Sequence, residues 1–436
     1  MFKAIFSDFQ YKRMSLGLLI PVLGYPLIFF FRDGLKLAPQ SSLFTAASLV
    51  LGLILMIPKT IFRNFHKMNT KVTFPLLGWM GVCIFYLFLL NNQPPNMREL
   101  INYLITFIYL FLLYSISDDI KDHFLPICLL FTLVSTLALF YSVYTNPHYV
   151  LGARASVYFD DEYGGNPHVF ARNGYAGLIV SFLLLGRKNI LLKLLALINL
   201  FASFVSILLT QTRGVFLSCI LAFGLVVLFH FRISNFKKGL KSLAQPSNLL
   251  FVIGTFSFII YYLSTKQQLF NLILGYGESF LNKFLDVLET SSQGSDTDEI
   301  KDYSAYQRVA SFTLYKNMLL GNPVGVLVGA GYRFFYFDFP ILEASANYGI
   351  LGMFFFGKTI FEIIKSSLSA IKYPSDSTNV FWAYYFVVMF VASFSAGQPN
   401  DTTFLFVFAV MARFTTNVSI KKPIETSQQK EIASLA

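Results

Sequence analysis

Arg213 stands in the five residues TQTRG (210–214), between two apolar runs long enough to cross a bilayer. Arg308 stands in YSAYQRVASFTLYKNMLL, where Ser304, Arg308, Ser311 and Tyr315 fall at i, i+4, i+7 and i+11 and so share one helix face. Arg154 and Arg172 bracket the stretch ASVYFDDEYGGNPHVFA, and Arg333 follows Tyr332 in GAGYRFF. A guanidinium is a permanent cation whose planar fork of donors suits phosphate oxygens bidentately. Several of them aimed at one place would bind an anionic group and stabilise negative charge developing on it. Asp338, Glu343 and His168 lie in neighbouring segments and are candidates for a general base acting on a hydroxyl. The competing structural readings are an interfacial snorkelling role for Arg213 and a salt bridge for Arg308.

The elements that hold these residues are dictated by composition. The chain has 436 residues, 55% of them hydrophobic and only 13% charged, with a mean hydropathy of +0.59. Soluble domains carry about 25% charged residues, so the expectation is an all-α polytopic membrane protein. Twelve apolar runs are candidate spans, near 14–31, 41–61, 73–91, 100–116, 124–145, 173–186, 189–209, 214–231, 248–264, 343–364, 380–397 and 402–416. The first reads as a retained helix rather than a cleavable signal. Cys83, Cys128 and Cys219 each fall inside an apolar run, as buried thiols with neither disulfide nor zinc spacing.

Lysine and arginine divide differently over the loops. FHKMNTK, GRKN, FRISNFKKGLK and the tail SIKKP lie on one side, which the positive-inside rule makes cytoplasmic together with both termini. On the other side fall about five of 22 lysines but seven of 12 arginines: Arg32, Arg98, Arg154, Arg172, Arg213, Arg308 and Arg333. An outer face rich in arginine and poor in lysine suggests an anionic ligand there. The net charge of +11 therefore does not point to nucleic acid. The expected organisation is N-terminal helices over 1–145 and central helices over 146–264, with an outer loop at 146–172 and the turn 210–214. A long extracytoplasmic loop over 265–342, C-terminal helices over 343–416 and a cytoplasmic tail over 417–436 follow.

The long loop opens with QQLFNLILGYGESFLNKFLDVLET, an amphipathic pattern suited to a membrane surface. The helix carrying Arg308 follows, and then the glycine-rich GNPVGVLVGAGYRFFYFDFP. The glycine spacing fits neither nucleotide-loop fingerprint; turns that let backbone approach a ligand or a helix end are expected. Asp160, Asp161 and Glu162 could hold a divalent cation or form a solvated acidic loop. No metal site or cofactor is expected. Tyr158, Tyr163, Tyr332 and Tyr336 could stack on sugars.

Four stretches in order resemble the O-antigen polymerase and ligase family of bacterial surface polysaccharide assembly. Arg154 followed by Asn166, Pro167 and His168 resembles that family's arginine and Asn-Pro-Asn loop before a span. TRG at 212–214 resembles its Ser-Arg-Gly turn, with Thr212 in place of Ser; Arg308 ahead of NPVGVLVGAG resembles its second arginine; YGILG at 348–352 resembles the start of a late span. The resemblance covers about residues 150 to 360. It implies a C-type glycosyltransferase-like architecture of about 12 transmembrane helices in the bacterial inner membrane, acting on the outer face. The implied reaction is inverting and metal-independent. A glycan leaves undecaprenyl diphosphate for the hydroxyl of an acceptor sugar, with membrane lipids and a chain-length regulator as further partners.

For that chemistry Arg213 and Arg308 are expected to clamp the diphosphate, with Asp338 and Glu343 the candidate bases by position and His168 a third. Arg154, Arg172, Asn166, His168, Tyr332 and Arg333 are expected to contact diphosphate or glycan. Ligases of the family carry a histidine just before the late span; FDFPILEASANYGILG has none, which favours a polymerase, joining lipid-linked repeat units, over a ligase using lipid A core. The alternative of another class is a secondary transporter, against which stands the absence of an internal repeat.

Overall fold

The computed structural model describes residues 2–230 apart from 60, 63–64, 92–96, 148, 150–152, 160–161, 164–165 and 188. It also describes positions 257, 261, 265, 271, 275 and 278, and residues 303–415 apart from 338 and 396. Among the described residues the regular elements are helices and one hairpin of two two-residue strands. In order they are α1 (Phe2–Leu23), α2 (Tyr25–Phe29) running into a π-helical turn (Phe30–Gly34), α3 (Ser42–Met56), α4 (Thr70–Leu89), α5 (Met97–Ser115) and α6 (Ile120–Thr145). The hairpin pairs Tyr158 with Tyr163 and Phe159 with Glu162. Then come α7 (Pro167–Leu185), α8 (Ile190–Thr210), α9 (Arg213–His230), α10 (Tyr303–Gly321), α11 (Pro323–Val328), α12 (Pro340–Lys372), α13 (Ser377–Ala392) and α14 (Thr402–Phe414).

Helices α4 to α8 are each long and apolar enough to cross a membrane, and α1 with α2 makes a sixth if the bent pair is one span. Shorter apolar helices are α3, α9, α13 and α14. This is a helical membrane protein. Ten of the expected runs fall on these helices and the run 343–364 on α12; the run 248–264 lies outside the described residues apart from two helical positions.

Three boundaries differ from the sequence expectation, each for a local reason. The run 14–31 is bent by 75° at Gly24, where Pro26 opens a new helix because it has no N–H to continue the old one. The run expected at 173–186 begins six residues earlier. Asn166 caps it by accepting from the His168 N–H at 2.9 Å, and Pro167 supplies the first turn. Arg172 is therefore inside α7 rather than in the loop before it. The run 343–364 extends over all of α12 and is broken at Gly349, whose φ of 64° and ψ of −155° suit glycine alone.

That break explains the glycine-rich stretch. Residues 323–328 form α11 instead of continuous turns, and Gly329 (φ 89°) and Gly331 (φ 122°) then carry the chain against the broken helix. The N–H groups of Ala330 and Gly331 donate to the carbonyls of Ala346 and Asn347 at 2.9 and 3.0 Å, taking up acceptors that a continuous helix would have used. Asn347 closes the join with two 2.8 Å hydrogen bonds, accepting from Phe335 N and donating to Phe335 O. A Cβ on Gly349 would lie 2.3 Å from Leu327 O, and one on Gly329 would lie 2.6 Å from Asn347 O.

The centre of the bundle is made by its two short helices. Residues 378–389 of α13 and 404–414 of α14 are all buried, as expected of helices apolar on every side. Around them α6, α7 and α8 are tied by a polar layer: Asn199 Nδ2 donates to Thr132 Oγ1, Gly177 O and Ser181 Oγ within 3.2 Å. Such bonds direct helix packing where lipid supplies no hydrophobic force between helices.

At one end of the bundle the described lysine-bearing segment 65–71 meets the ends of α5 and α14, His66 N donating to Tyr114 O and Asn69 N to Ala412 O. There Lys121 pairs with Asp376 at 3.3 Å, and Arg413, 2% exposed, donates to Ile116 O and Asp118 at 2.9 Å. Burial works to raise the Asp118 pKa, but Arg413 and Lys121 outweigh it and hold the carboxyl below its ordinary range. The opposite end carries the arginine-bearing segments.

Replacing Gly349 by Ala should cost about 1–3 kcal/mol in backbone strain alone, and more through its clash with Leu327. Gly357, in the same helix with open space around it, should accept Ala without loss. Thermal unfolding of the detergent-solubilised protein checks this; equal melting temperatures for Gly349→Ala and Gly357→Ala would contradict it.

Candidate active site

The turn TQTRG is built from a left-handed residue and a buried threonine. Gln211 (φ 50°) ends α8, and the carbonyl of buried Thr212 accepts from the N–H groups of Val215 and Phe216 to start α9. Arg213 is the first residue of α9. The segment around Arg154 lies across this turn: Ala155 N donates to Leu209 O at 2.9 Å, and Arg154 reaches Gln211 O in a long 3.5 Å contact. Arg154 and Arg213 thus belong to one local group. Gly214 packs against the end of α13, where a Cβ on it would meet Ser395 Oγ at 3.5 Å and Val391 at 3.7 Å.

A second group centres on the loop GQPNDTT (397–403). Trp79 of α4 fixes it from below, its Nε1 donating to Pro399 O at 3.2 Å. Arg333, in a left-handed conformation (φ 50°), pairs with Glu99 of α5 and donates to Gln398. The neighbouring Tyr332 is buried; its hydroxyl lies 3.2 Å from that of Tyr103 and accepts from Asn400 Nδ2 at 3.0 Å. Burial, then the Glu99 carboxylate, pushes the Tyr332 hydroxyl well up, so it stays protonated at neutral pH.

Arg172 completes this group from α7. It lines a cleft with Tyr25, Pro26, Tyr385, Met389 and Thr403. Among the described residues its guanidinium makes no hydrogen bond or ion pair; the carboxylate of Asp401 lies within electrostatic range without touching it. Arg172 and Arg333 both act electrostatically on Asp401. Burial raises its pKa, opposed by the Gln398 N–H and the two arginines.

Both groups flank the end of α13. Tyr385 and Met389 face the Arg172 cleft and Val391 and Ser395 face Gly214; at 3.6 residues per turn these sides are about 120° apart around the helix. The structure therefore joins Arg154 to Arg213, and Arg172 to Arg333, on two sides of one helix end. Arg32 has a structural task, bound to buried Asp33 at 2.6 Å and to Thr45 Oγ1 at 3.0 Å.

Arg308 lies on α10, with its side chain outside the described residues, and Asp338 is outside them altogether. Glu343 is fully buried in the first turn of α12, accepting from Phe337 N at 3.1 Å, a position that holds the 335–339 segment. Asn166 and His168 form the capped start of α7. Tyr158 and Tyr163 occupy the hairpin, and Asp160 and Asp161 lie outside the described residues. Among the described residues no three His, Cys, Asp or Glu side chains are close enough to hold a metal ion.

Glu99, Gln398, Asn400 and Asp401 were not singled out from sequence. Their signal was present as GQPNDTT, a dense polar run between two apolar ones, and as the acid next to Arg98.

Glu99 is only 14% exposed as a side chain. Arg333→Ala should therefore cost about 1–3 kcal/mol by leaving that carboxylate without its cation, and adding Glu99→Gln should recover much of the loss. A double-mutant cycle of melting temperatures checks this, and simple additivity of the two changes would contradict it.

Against known proteins, no family model matches this chain and no curated protein matches it.

Proposed function

We propose that this protein is a polysaccharide polymerase of the bacterial inner membrane. It transfers a glycan from undecaprenyl diphosphate to the acceptor sugar of another lipid-linked repeat unit, on the outer face and with inversion at the anomeric carbon. The arginine end is then the extracytoplasmic end, with both termini cytoplasmic and about twelve spans. A chain-length regulator is its further protein partner. The observation that supports the reading is that Arg154 and Arg213, and Arg172 and Arg333, belong to segments flanking the end of α13.

The chemistry follows from charge. Departure of a lipid diphosphate places negative charge on phosphate oxygens, and fixed guanidinium groups stabilise it without reorganising. In this reading Arg213 and Arg308 form the clamp, and Arg154 and Arg172 support it from either side. The apolar helices below fit a polyprenyl chain, and the polar loops at the arginine end fit the glycan. A transporter would place its charged groups near the bilayer midplane; Arg172 lies about a turn from the start of α7 and faces the end of the bundle.

Arg213→Lys keeps the charge but loses the planar fork, and should reduce polymerisation by roughly 10²-fold. Cells expressing only that variant should display single repeat units or very short chains. Full-length polymer from Arg213→Lys would contradict the clamp. A strain lacking the gene should still show one repeat unit on its surface; polymer stranded on its lipid carrier would point to a ligase instead.

A further inference from the structure

The sequence places α11 within the long loop, yet the helix PVGVLV has no polar side chain. Val326 is buried. Val324, Leu327 and Val328 stand at i, i+3 and i+4 on another side, and each is more than half exposed. The last turn of α10 adds the exposed Leu319 and Leu320. An apolar surface of this kind is unfavourable in water and needs a partner.

The contacts of α11 with its neighbours fix its level in the bundle. Tyr86, three residues before the end of α4, donates its hydroxyl to Val328 O. Gly349 lies nine residues past the start of α12, and a Cβ on it would meet Leu327 O at 2.3 Å and Val328 O at 2.6 Å. At 1.5 Å per residue, the end of α11 is about 13 Å along α12 from its first residue. The end of α4 and the start of α12 both belong to the arginine end, since Leu90 O accepts from Tyr332 N and Ile341 N donates to Ser393 O. So α11 lies alongside the bundle, inside its rim. Helix α4 is long and apolar enough to cross a membrane. Its Leu89 and Leu90, at i+3 and i+4 from Tyr86, are exposed on the side that meets α11. Ile350 and Leu351 are exposed just past the break in α12. The outer face of α11 thus continues the apolar surface of a spanning helix.

Lipid makes a demand that water does not: backbone polar groups in it must be satisfied by protein. The ends of α11 meet that demand. Pro323 opens the helix without an N–H. Asn322 Oδ1 accepts from Gly325 N at 2.9 Å, and Val326 N and Gly329 N donate to Asn322 O and Gly325 O at 3.2 and 2.8 Å. Val328 O takes the Tyr86 hydroxyl, and Ala330 N reaches Ala346 O at 2.9 Å.

We propose that α11 and the last turn of α10 form a re-entrant wedge seated among the acyl chains of the bilayer at the arginine end. The partner of this face is lipid hydrocarbon. One turn before Leu320, the exposed Lys316 and Asn317 mark where α10 reaches the headgroups. The wedge goes beyond the polymerase reading and does not depend on it. It gives the segment that delivers Tyr332 and Arg333 a footing in the membrane.

The test is spin-label accessibility on the full-length protein in vesicles of phosphatidylethanolamine and phosphatidylglycerol that hold no lipid-linked glycan. The background is Cys219→Ala, because Cys83 and Cys128 are buried and Cys219 is only partly so. Leu320→Cys, Val324→Cys and Leu327→Cys are labelled in turn. Phe85→Cys, on the exposed side of α4, is the lipid reference, and Pro374→Cys, in the exposed loop between α12 and α13, is the water reference. All three labels should match Phe85→Cys: open to oxygen, which partitions into lipid, and closed to a nickel chelate, which stays in water. Nickel access equal to that of Pro374→Cys at any of the three would overturn the wedge by placing that position in water. Protection from both reagents would overturn it as well, since another segment of this chain or a second copy would then cover the face. Should one variant not fold, the other two carry the same test.

Discussion

The arginine end depends on the ion pair between Arg333 and Glu99. The two residues are 234 positions apart in sequence, and the same guanidinium reaches Gln398, 65 positions further on. One side chain thus fixes the start of α5, the segment after α11 and the loop between α13 and α14. In a bundle where lipid and core side chains are equally apolar, polar contacts decide which helix ends meet. The hydroxyls of Tyr103 and Tyr332 and the amide of Asn400 extend the contact inward, and Trp79 secures the loop through Pro399. Asp401 and Arg172 acquire their relation only because this loop is held.

The second support is a backbone join. Gly329 and Gly331 bring the segment after α11 against the break in α12 at Gly349, and Asn347 closes it. Tyr86 of α4 donates to Val328 O at the same place, and Trp79 packs edge-on against Tyr348 at 5.0 Å. The segment that delivers Tyr332 and Arg333 is therefore anchored on both flanks. Two helices that would be too short to stand alone, α13 and α14, gain their order from being enclosed on all sides.

Much of the framework was legible because length and hydropathy report spans directly. Eleven apolar runs became helices, and Asn166–Pro167 before α7 behaves as a cap should. What escaped was governed by three-dimensional proximity. Arg172 read as a loop residue because the apolar run begins after it, yet the cap starts the helix earlier and turns the side chain into a cleft. Glu343, a candidate base by position, is buried and accepts from Phe337 N. The glycine-rich stretch was read correctly as backbone approach to a helix end, but the α11 turn within it was missed. Asp401 was invisible because a seven-residue polar connector says nothing of which arginines will act on it.

The proposed function requires the arginine end to handle a lipid diphosphate during glycan transfer. The most direct measurement is reconstitution of the full-length wild-type protein in liposomes with a lipid-linked repeat unit as the sole glycan. The expected result is a ladder of longer lipid-linked chains, with one undecaprenyl diphosphate released for each unit joined. Repeat units left unjoined, with a soluble solute accumulating across the membrane, would contradict it.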